Sequence, residues 1–361
     1  MNDKNKNNIK IYYGIIIISL LLIGLSLGFI IGVKTNKNGK VIYQGTIHDS
    51  DYVYPYSYDD YSIPEGDQEG FRVIYKLMNG HTLESTTVNN CVIKPENPEK
   101  ICATFINWYS DEYYNDLFDF SVKVNKDITL YAKYEIDYKS LSNYIYEYTI
   151  KSSVRVYAEG YYYINQFINE EISSSLGSGV IINEDNKYYY VLTNNHVIYK
   201  PSEANVMKYY ILDCYNEQYD ATLIYNSNSY DLALLRITKN SKYEKLNVIK
   251  FRSEAPDITG EEIITMGNPE GLINAISYGV INNYDYFKVK ESDKDRSNVT
   301  FKVLTHSAYI NSGSSGGALL DTNLELCGIN FADGSSEDGS HLISYSIPID
   351  KVNEFLDLIS N

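Results

Sequence analysis

Asn311-Ser312-Gly313-Ser314-Ser315-Gly316-Gly317-Ala318-Leu319-Leu320 carries the strongest chemical signal in this 361-residue chain. Glycine and serine fill its first part and an apolar strand follows, so the backbone is free to turn tightly and direct N–H groups inward. Such a loop can wrap an anion. A serine hydroxyl is a poor nucleophile at neutral pH. To act it needs a histidine to take its proton, a carboxylate to orient that histidine, and donors for the oxyanion that forms. Of Ser312, Ser314 and Ser315, only Ser315 has Gly316-Gly317 directly after it and Gly313 two residues before it. That spacing lets the N–H groups of Gly313 and Ser315 converge on one oxygen.

The histidine that suits this serine is His196, in Tyr188-Tyr189-Tyr190-Val191-Leu192-Thr193-Asn194-Asn195-His196-Val197-Ile198, an apolar strand ending in a polar turn. The carboxylate is Asp231, in Tyr230-Asp231-Leu232-Ala233-Leu234-Leu235-Arg236-Ile237, at the mouth of another buried strand. Asp213 and Asp220 are rivals from the same region, but neither directly precedes such a strand. His48 falls in a stalk-like stretch and His81 in an N-terminal β-rich module, while His306 and His341 read as structural or exposed histidines. In chain order His, Asp, Ser, with Gly313 ahead of the serine, the set resembles the trypsin-like serine peptidases, and the HtrA/Deg branch most of all. Four further pieces fit that branch in order: Gly177-Ser178-Gly179-Val180-Ile181-Ile182, the Leu192 to Val197 block, Gly267-Asn268-Pro269-Glu270-Gly271-Leu272 with Ser277-Tyr278-Gly279-Val280-Ile281, and Cys327-Gly328-Ile329-Asn330-Phe331. Together they span roughly residues 150 to 359.

This resemblance implies a chymotrypsin-like double β-barrel in which Ser315 attacks, His196 is the general base, Asp231 orients it, and the N–H groups of Gly313 and Ser315 form the oxyanion hole. The position six residues before the nucleophile, at the base of the primary specificity pocket in trypsin-like enzymes, is Tyr309. With Ile310 beside it and no Asp to hold a basic side chain, the expected P1 residue is small or medium and apolar. Ser314 stands where the family commonly has Asn, and His306 where an acidic residue is common. The chain stops at Asn361 after a closing helix, where HtrA-type enzymes usually carry a PDZ domain. Substrate capture and the family's assembly are therefore not carried over, and a homo-oligomer is left open.

Composition narrows the partners. A net charge of −16 argues against nucleic acid, because phosphate binding needs clustered Lys and Arg. Ile11 to Val33 is an uninterrupted apolar run without charge, long enough at about 1.5 Å per residue to cross a hydrocarbon core of about 30 Å. It predicts a membrane helix, with residues 1–10 as a cytoplasmic tail and the catalytic domain outside the cell. Residues 34–69, rich in Tyr, Asp, Ser and Gly, read as a stalk. From Gly70 the pattern becomes strand-like, and Trp108-Tyr109-Ser110-Asp111, Phe118-Asp119-Phe120 and Asp127-Ile128-Thr129-Leu130-Tyr131-Ala132 resemble a Listeria-Bacteroides repeat, the small β-grasp-like module of internalin-type surface proteins. In that family it acts as a spacer or adhesion unit.

The expected layout is therefore mainly β: a repeat over 70–137, a Tyr-rich connector over 138–152, and a peptidase domain over 153–361 whose one long helix, Ile349 to Ile359, is capped by Asp350. Gly160 to Ser175 reads as an insertion facing cleft or solvent. Cys91 and Cys102 could close a short loop outside the cell, though sequence allows several pairings or none. No cysteine has metal-type C-x-x-C spacing, so neither metal nor cofactor is expected. The partners implied are protein or peptide substrates and the membrane. The alternative is a catalytically inactive peptidase-like surface protein that binds or adheres.

Overall fold

The structure is a computed structural model that describes residues 63–360, apart from 79, 80, 166, 167, 257, 258, 270, 271, 273 and 336–340. Ile11–Val33, the expected cytoplasmic tail, His48 and most of the expected stalk lie outside the described residues. Among those described, no helix is long and apolar enough to cross a membrane.

Four strands build the first layer: β1 (Arg72–Met78), β2 (His81–Thr86), β3 (Ala103–Tyr109) and β4 (Ile128–Ile136), in the order β2-β1-β4-β3 with β1 and β4 parallel. Period-two alternation on β1 points Val73, Tyr75 and Leu77 into a core with Trp108 and Leu130, all of them fully buried. The Tyr75 and Trp108 rings meet edge to face at 5.3 Å, and the Tyr75 hydroxyl is satisfied by donating to the Ile93 carbonyl at 2.6 Å.

The Tyr-rich stretch after it, expected to be a connector, contains helix α1 (Tyr138–Glu147). Asp137 caps it, accepting from the N–H groups of Lys139 and Ser140, both at 3.1 Å. Leu141 and Ile145, one turn apart, are fully buried in the core of the barrels that follow. The tyrosines hid this helix, because they are weak helix formers and here occupy the flanks of the apolar stripe.

Two closed barrels make up the rest. In the first, β5 (Ser153–Asn165), β6 (Ile168–Glu184), β7 (Tyr188–Thr193), β8 (Val206–Leu212), β9 (Gln218–Ser227) and β10 (Leu232–Thr238) close in the order β10-β7-β6-β5-β8-β9. The segment Gly160 to Ser175 is no separate insertion. It prolongs the β5–β6 hairpin, with Gly160 opposite Ser173 and Tyr162 opposite Glu170, and β8 pairs along the other edge of β5 as far as Tyr161 opposite Val206. A strand exposed on its faces needs no apolar alternation, so its composition resembled a loop.

The second barrel closes as β11-β12-β13-β16-β15-β14 from β11 (Glu262–Gly267), β12 (Ala275–Tyr286), β13 (Lys302–His306), β14 (Ala318–Asp321), β15 (Leu326–Ser335) and β16 (His341–Pro348). Helix α2 (Ile349–Ser360) follows and buries Val352 and Phe355. Asp350 lies inside its first turn instead of before it, where it still meets the positive end of the helix dipole. All four cysteines are free thiols, so the Cys91–Cys102 loop is not stapled. Cys102 packs against the main apolar core, Cys327 is fully buried, and burial pushes the Cys214 thiol up to about 12.

Leu141→Ala will remove a fully buried side chain where helix and barrels share one core, at a cost of about 2 to 5 kcal/mol in denaturant unfolding. Tyr146→Ala, on the same helix but half exposed, should move the midpoint by less than about 0.5 kcal/mol. Equal effects would contradict the helix orientation.

Candidate active site

Strand ends from both barrels converge on one place. β7 runs apolar to Thr193 and releases into the turn Asn194-Asn195-His196, while β10 starts immediately after Asp231. Because β7 and β10 are hydrogen-bonded neighbours, with Thr193 opposite Ala233, the two ends lie side by side. His196 Nδ1 stands 2.7 Å from Asp231 Oδ2, and the His196 backbone N–H donates to Oδ1 at 2.8 Å. The carboxylate thus grips both ring and backbone of one residue. It is fully buried, whereas the His196 side chain keeps 28% of its surface.

Asp231 adopts φ +50, a left-handed backbone that Asp tolerates better than most residues. Its carbonyl accepts from Asn194 Nδ2 at 2.9 Å, so the strain is held by the same turn the carboxylate serves. With Nδ1–H committed to Asp231, Nε2 is the nitrogen able to accept a proton, and it has no protein partner among the described residues. Burial disfavours the imidazolium and the nearby Arg296 cation adds to that. The charge and hydrogen bond of Asp231 outweigh both, and the His196 pKa rises above 6.5.

Ser315 lies in the loop before β14. Gly313 and Gly316 take φ +92 and +85, conformations open to glycine. At Gly316 there is also no room, since a Cβ would fall 2.2 Å from the Ser178 carbonyl and 2.3 Å from Thr193 Oγ1. Backbone bonds close the loop on itself, with Ser314 N–H to the Asn311 carbonyl at 2.8 Å and Gly317 N–H to the Ser314 carbonyl at 2.9 Å. Among the described residues the N–H groups of Gly313 and Ser315 have no protein acceptor. The Ser315 hydroxyl donates to the Phe331 carbonyl at 3.4 Å and makes no hydrogen bond to His196. Phe331 nonetheless adjoins both, its ring edge-on to the imidazole with centroids 6.4 Å apart.

Residues outside the expected set hold this loop. Ser178, fully buried on β6, donates its N–H to the Ser315 carbonyl at 2.8 Å and its hydroxyl to the Gly313 carbonyl at 2.7 Å, and it accepts the Asn268 N–H at 2.8 Å. Asn330 accepts from Gly316 N–H and donates to the Gly317 carbonyl. Its amide oxygen takes the Ser346 hydroxyl, which lies 2.9 Å from buried His306 Nε2. His306 is therefore part of a buried polar chain behind the loop. Ser178, Asn268 and Asn330 all sit in quoted motifs, but their partners come only from the tertiary fold, across the barrels for Ser178 and Asn268 and within the second barrel for Asn330. Tyr309 is half exposed, its backbone bonded to Thr265 and Ser277, and Ile310 is buried. Among the described residues no group of His, Cys, Asp and Glu is arranged to hold a metal ion.

Two parts of the chain match known families. Residues 177–329 match the trypsin-like peptidase domain and residues 71–133 the Listeria-Bacteroides repeat domain. The serine protease Do-like HtrA of Bacillus subtilis is 31% identical over 186 residues, 51% of this chain and 39% of its own length. The periplasmic serine endoprotease DegP of Escherichia coli is 34% identical over 178 residues, 49% of this chain and 34% of its own. A solved HtrA-type protease with a tripeptide matches at 25% identity and a TM-score of 0.47, covering 61% of this chain and 63% of that one. The chain thus spans little more than a third of the length of the curated relatives it matches. Its residues 71–133 are therefore similar to the Listeria-Bacteroides repeat domain, and its residues 177–329 to the trypsin-like peptidase domain that HtrA and DegP proteases resemble in sequence.

Proposed function

We propose that this chain is a serine endopeptidase, anchored by Ile11–Val33 with its catalytic domain outside the cell membrane, that cleaves proteins through an acyl-enzyme. The observation that carries this reading is the 2.7 Å contact between His196 Nδ1 and a fully buried Asp231 carboxylate, set beside a glycine-framed loop that holds Ser315. The periplasmic location in the name of DegP agrees with an extracytoplasmic domain.

Substrate binding draws the Ser315 hydroxyl from the Phe331 carbonyl toward His196 Nε2. The Ser315 oxygen then attacks the scissile carbonyl while Nε2 takes its proton, and Asp231 stabilises the resulting imidazolium. The N–H groups of Gly313 and Ser315, without protein acceptors at rest, receive the oxyanion. His196 returns the proton to the leaving amine, the acyl–oxygen ester forms, and water repeats the sequence in reverse to free Ser315. Tyr309 and Ile310 border the P1 side chain and offer it no countercharge.

A fluorophosphonate probe should label the protein, and Ser315→Ala should abolish labelling and lower peptide hydrolysis by about 10⁶. An unlabelled wild type would leave only the peptidase-like binding protein. Activity should rise with pH through a midpoint above 6.5, because the base must be neutral and Asp231 raises its pKa. Asp231→Asn should lower the rate about 10⁴-fold and move that midpoint downward, and an unmoved midpoint would remove Asp231 from the orienting role. Across peptides differing only at P1, small or medium apolar residues should be cut best, whereas cleavage confined to Arg or Lys would refute the pocket assignment.

A further inference from the structure

The repeat reaches the hairpin that presents Ser315. β14 begins three residues after Ser315, β15 carries Phe331, and the turn that joins them, 322–325, is the far end of that hairpin. Lys100 of the repeat is buried against this turn, only 4% exposed, and its ammonium donates to Asn323 Oδ1. His81 Nε2 lies 3.0 Å from Glu325 Oε2, and the same carboxylate, itself buried, takes Lys250 Nζ at 2.8 Å. Ile101 shares one apolar core with Leu320, Leu324 and Leu326. Leu324 is held at φ +63 while fully buried, a strain that persists only where the surroundings over-determine it.

A module that only spaced the peptidase from the membrane would have no reason to bury a cation in its neighbour. Taking an ammonium out of water costs several kcal/mol unless partners surround it. Lys100 faces Asp321, Glu261, Glu325 and Glu262, and Arg252 pairs with Glu261 and lies 3.8 Å from Asp321. Both groups are buried, and burial lowers the Lys100 pKa and raises that of Asp321. Asp321 shapes the turn itself, accepting the N–H groups of Asn323 at 2.8 Å and Glu325 at 3.0 Å.

We propose that the Listeria-Bacteroides repeat is an intramolecular positioning module of the peptidase, in which Lys100, Ile101 and His81 hold the β14–β15 turn and so fix the hairpin presenting Ser315 and Phe331. The effect on catalysis rests on Ser315 being the nucleophile; the hold on the hairpin does not. Lys100 and His81 are positioning residues that never meet substrate.

The test uses the full chain in detergent as wild type, Lys100→Met, Lys100→Arg, His81→Gln and Arg72→Ala. Arg72 pairs with Glu84 at an exposed site and serves as the control. Amide hydrogen exchange is followed with kcat and KM on a fluorogenic peptide. Lys100→Met should speed exchange about tenfold or more in Ala318–Asp321 and Leu326–Phe331 while Tyr188–Thr193 keeps its protection, and should lower kcat about tenfold with KM within about twofold. His81→Gln should give the same pattern at about threefold, Lys100→Arg should restore most of it, and Arg72→Ala should change nothing. Unchanged hairpin exchange, loosening spread equally over both barrels, or faster exchange with an unaltered kcat would each overturn the proposal. If Lys100→Met does not fold, His81→Gln decides alone. Absence of fluorophosphonate labelling in the wild type would sink the peptidase reading, and hairpin exchange would then still decide whether the repeat holds the turn.

Discussion

One small set of hydrogen bonds joins the two barrels where chemistry is expected. Ser178 belongs to β6 of the first barrel, yet its N–H and hydroxyl bind the carbonyls of Ser315 and Gly313 in the second. Ser178 is fully buried, so water cannot compete for these bonds and losing one would strand a polar group. The loop that carries Ser315 is thereby referenced to the barrel that carries His196 and Asp231. The shared apolar core, with Leu192 and Leu232 of the first barrel against Ile264 and Met266 of the second, holds the barrels together, and the Ser178 bonds set the loop within that frame.

Each side of the site is built by a different means. The first barrel supplies a rigid pair, a buried carboxylate bound twice to one histidine at the open ends of adjacent strands. The second supplies a loop whose shape depends on glycine, because Gly316 has no space for a Cβ and Gly313 needs a left-handed backbone. A rigid base and a loop with two uncommitted N–H groups suit acyl transfer, in which negative charge appears only in the transition state. The resting bond from Ser315 to the Phe331 carbonyl fits the same picture, since at 3.4 Å it is long and the hydroxyl is easily drawn away.

The N-terminal module is packed onto the double barrel through buried groups. Its sheet has a core of its own around Trp108 and Tyr75, yet Ile101 and Cys102 pack into the core of the barrels, as do Leu141 and Ile145 of the helix between. Polar contacts run along the same seam: Tyr138 bonds Glu262, Ser142 lies 2.8 Å from the Tyr278 hydroxyl, and Lys100 bonds Asn323. Repeat, helix and second barrel are thus connected by buried apolar and charged groups.

The amino-acid sequence determined the fold class and the chemical vocabulary of the site. Short apolar runs divided by turn residues require packed strands, and a glycine-serine loop ahead of a strand names its candidate serine, because these signals act between neighbours in the chain. It also singled out His196 and Asp231 from among rival histidines and carboxylates, each by its place at a strand end. Helix α1 escaped notice because its tyrosines dilute the apolar stripe, and the β5–β6 extension because an exposed hairpin lacks alternation. Only the tertiary structure could decide that Ser178 and Asn330 hold the loop, that His306 is buried behind it, and that Lys100 and His81 meet a turn more than two hundred residues away. Those partnerships depend on which buried polar atoms are left facing one another after the barrels close, and no local spacing encodes that.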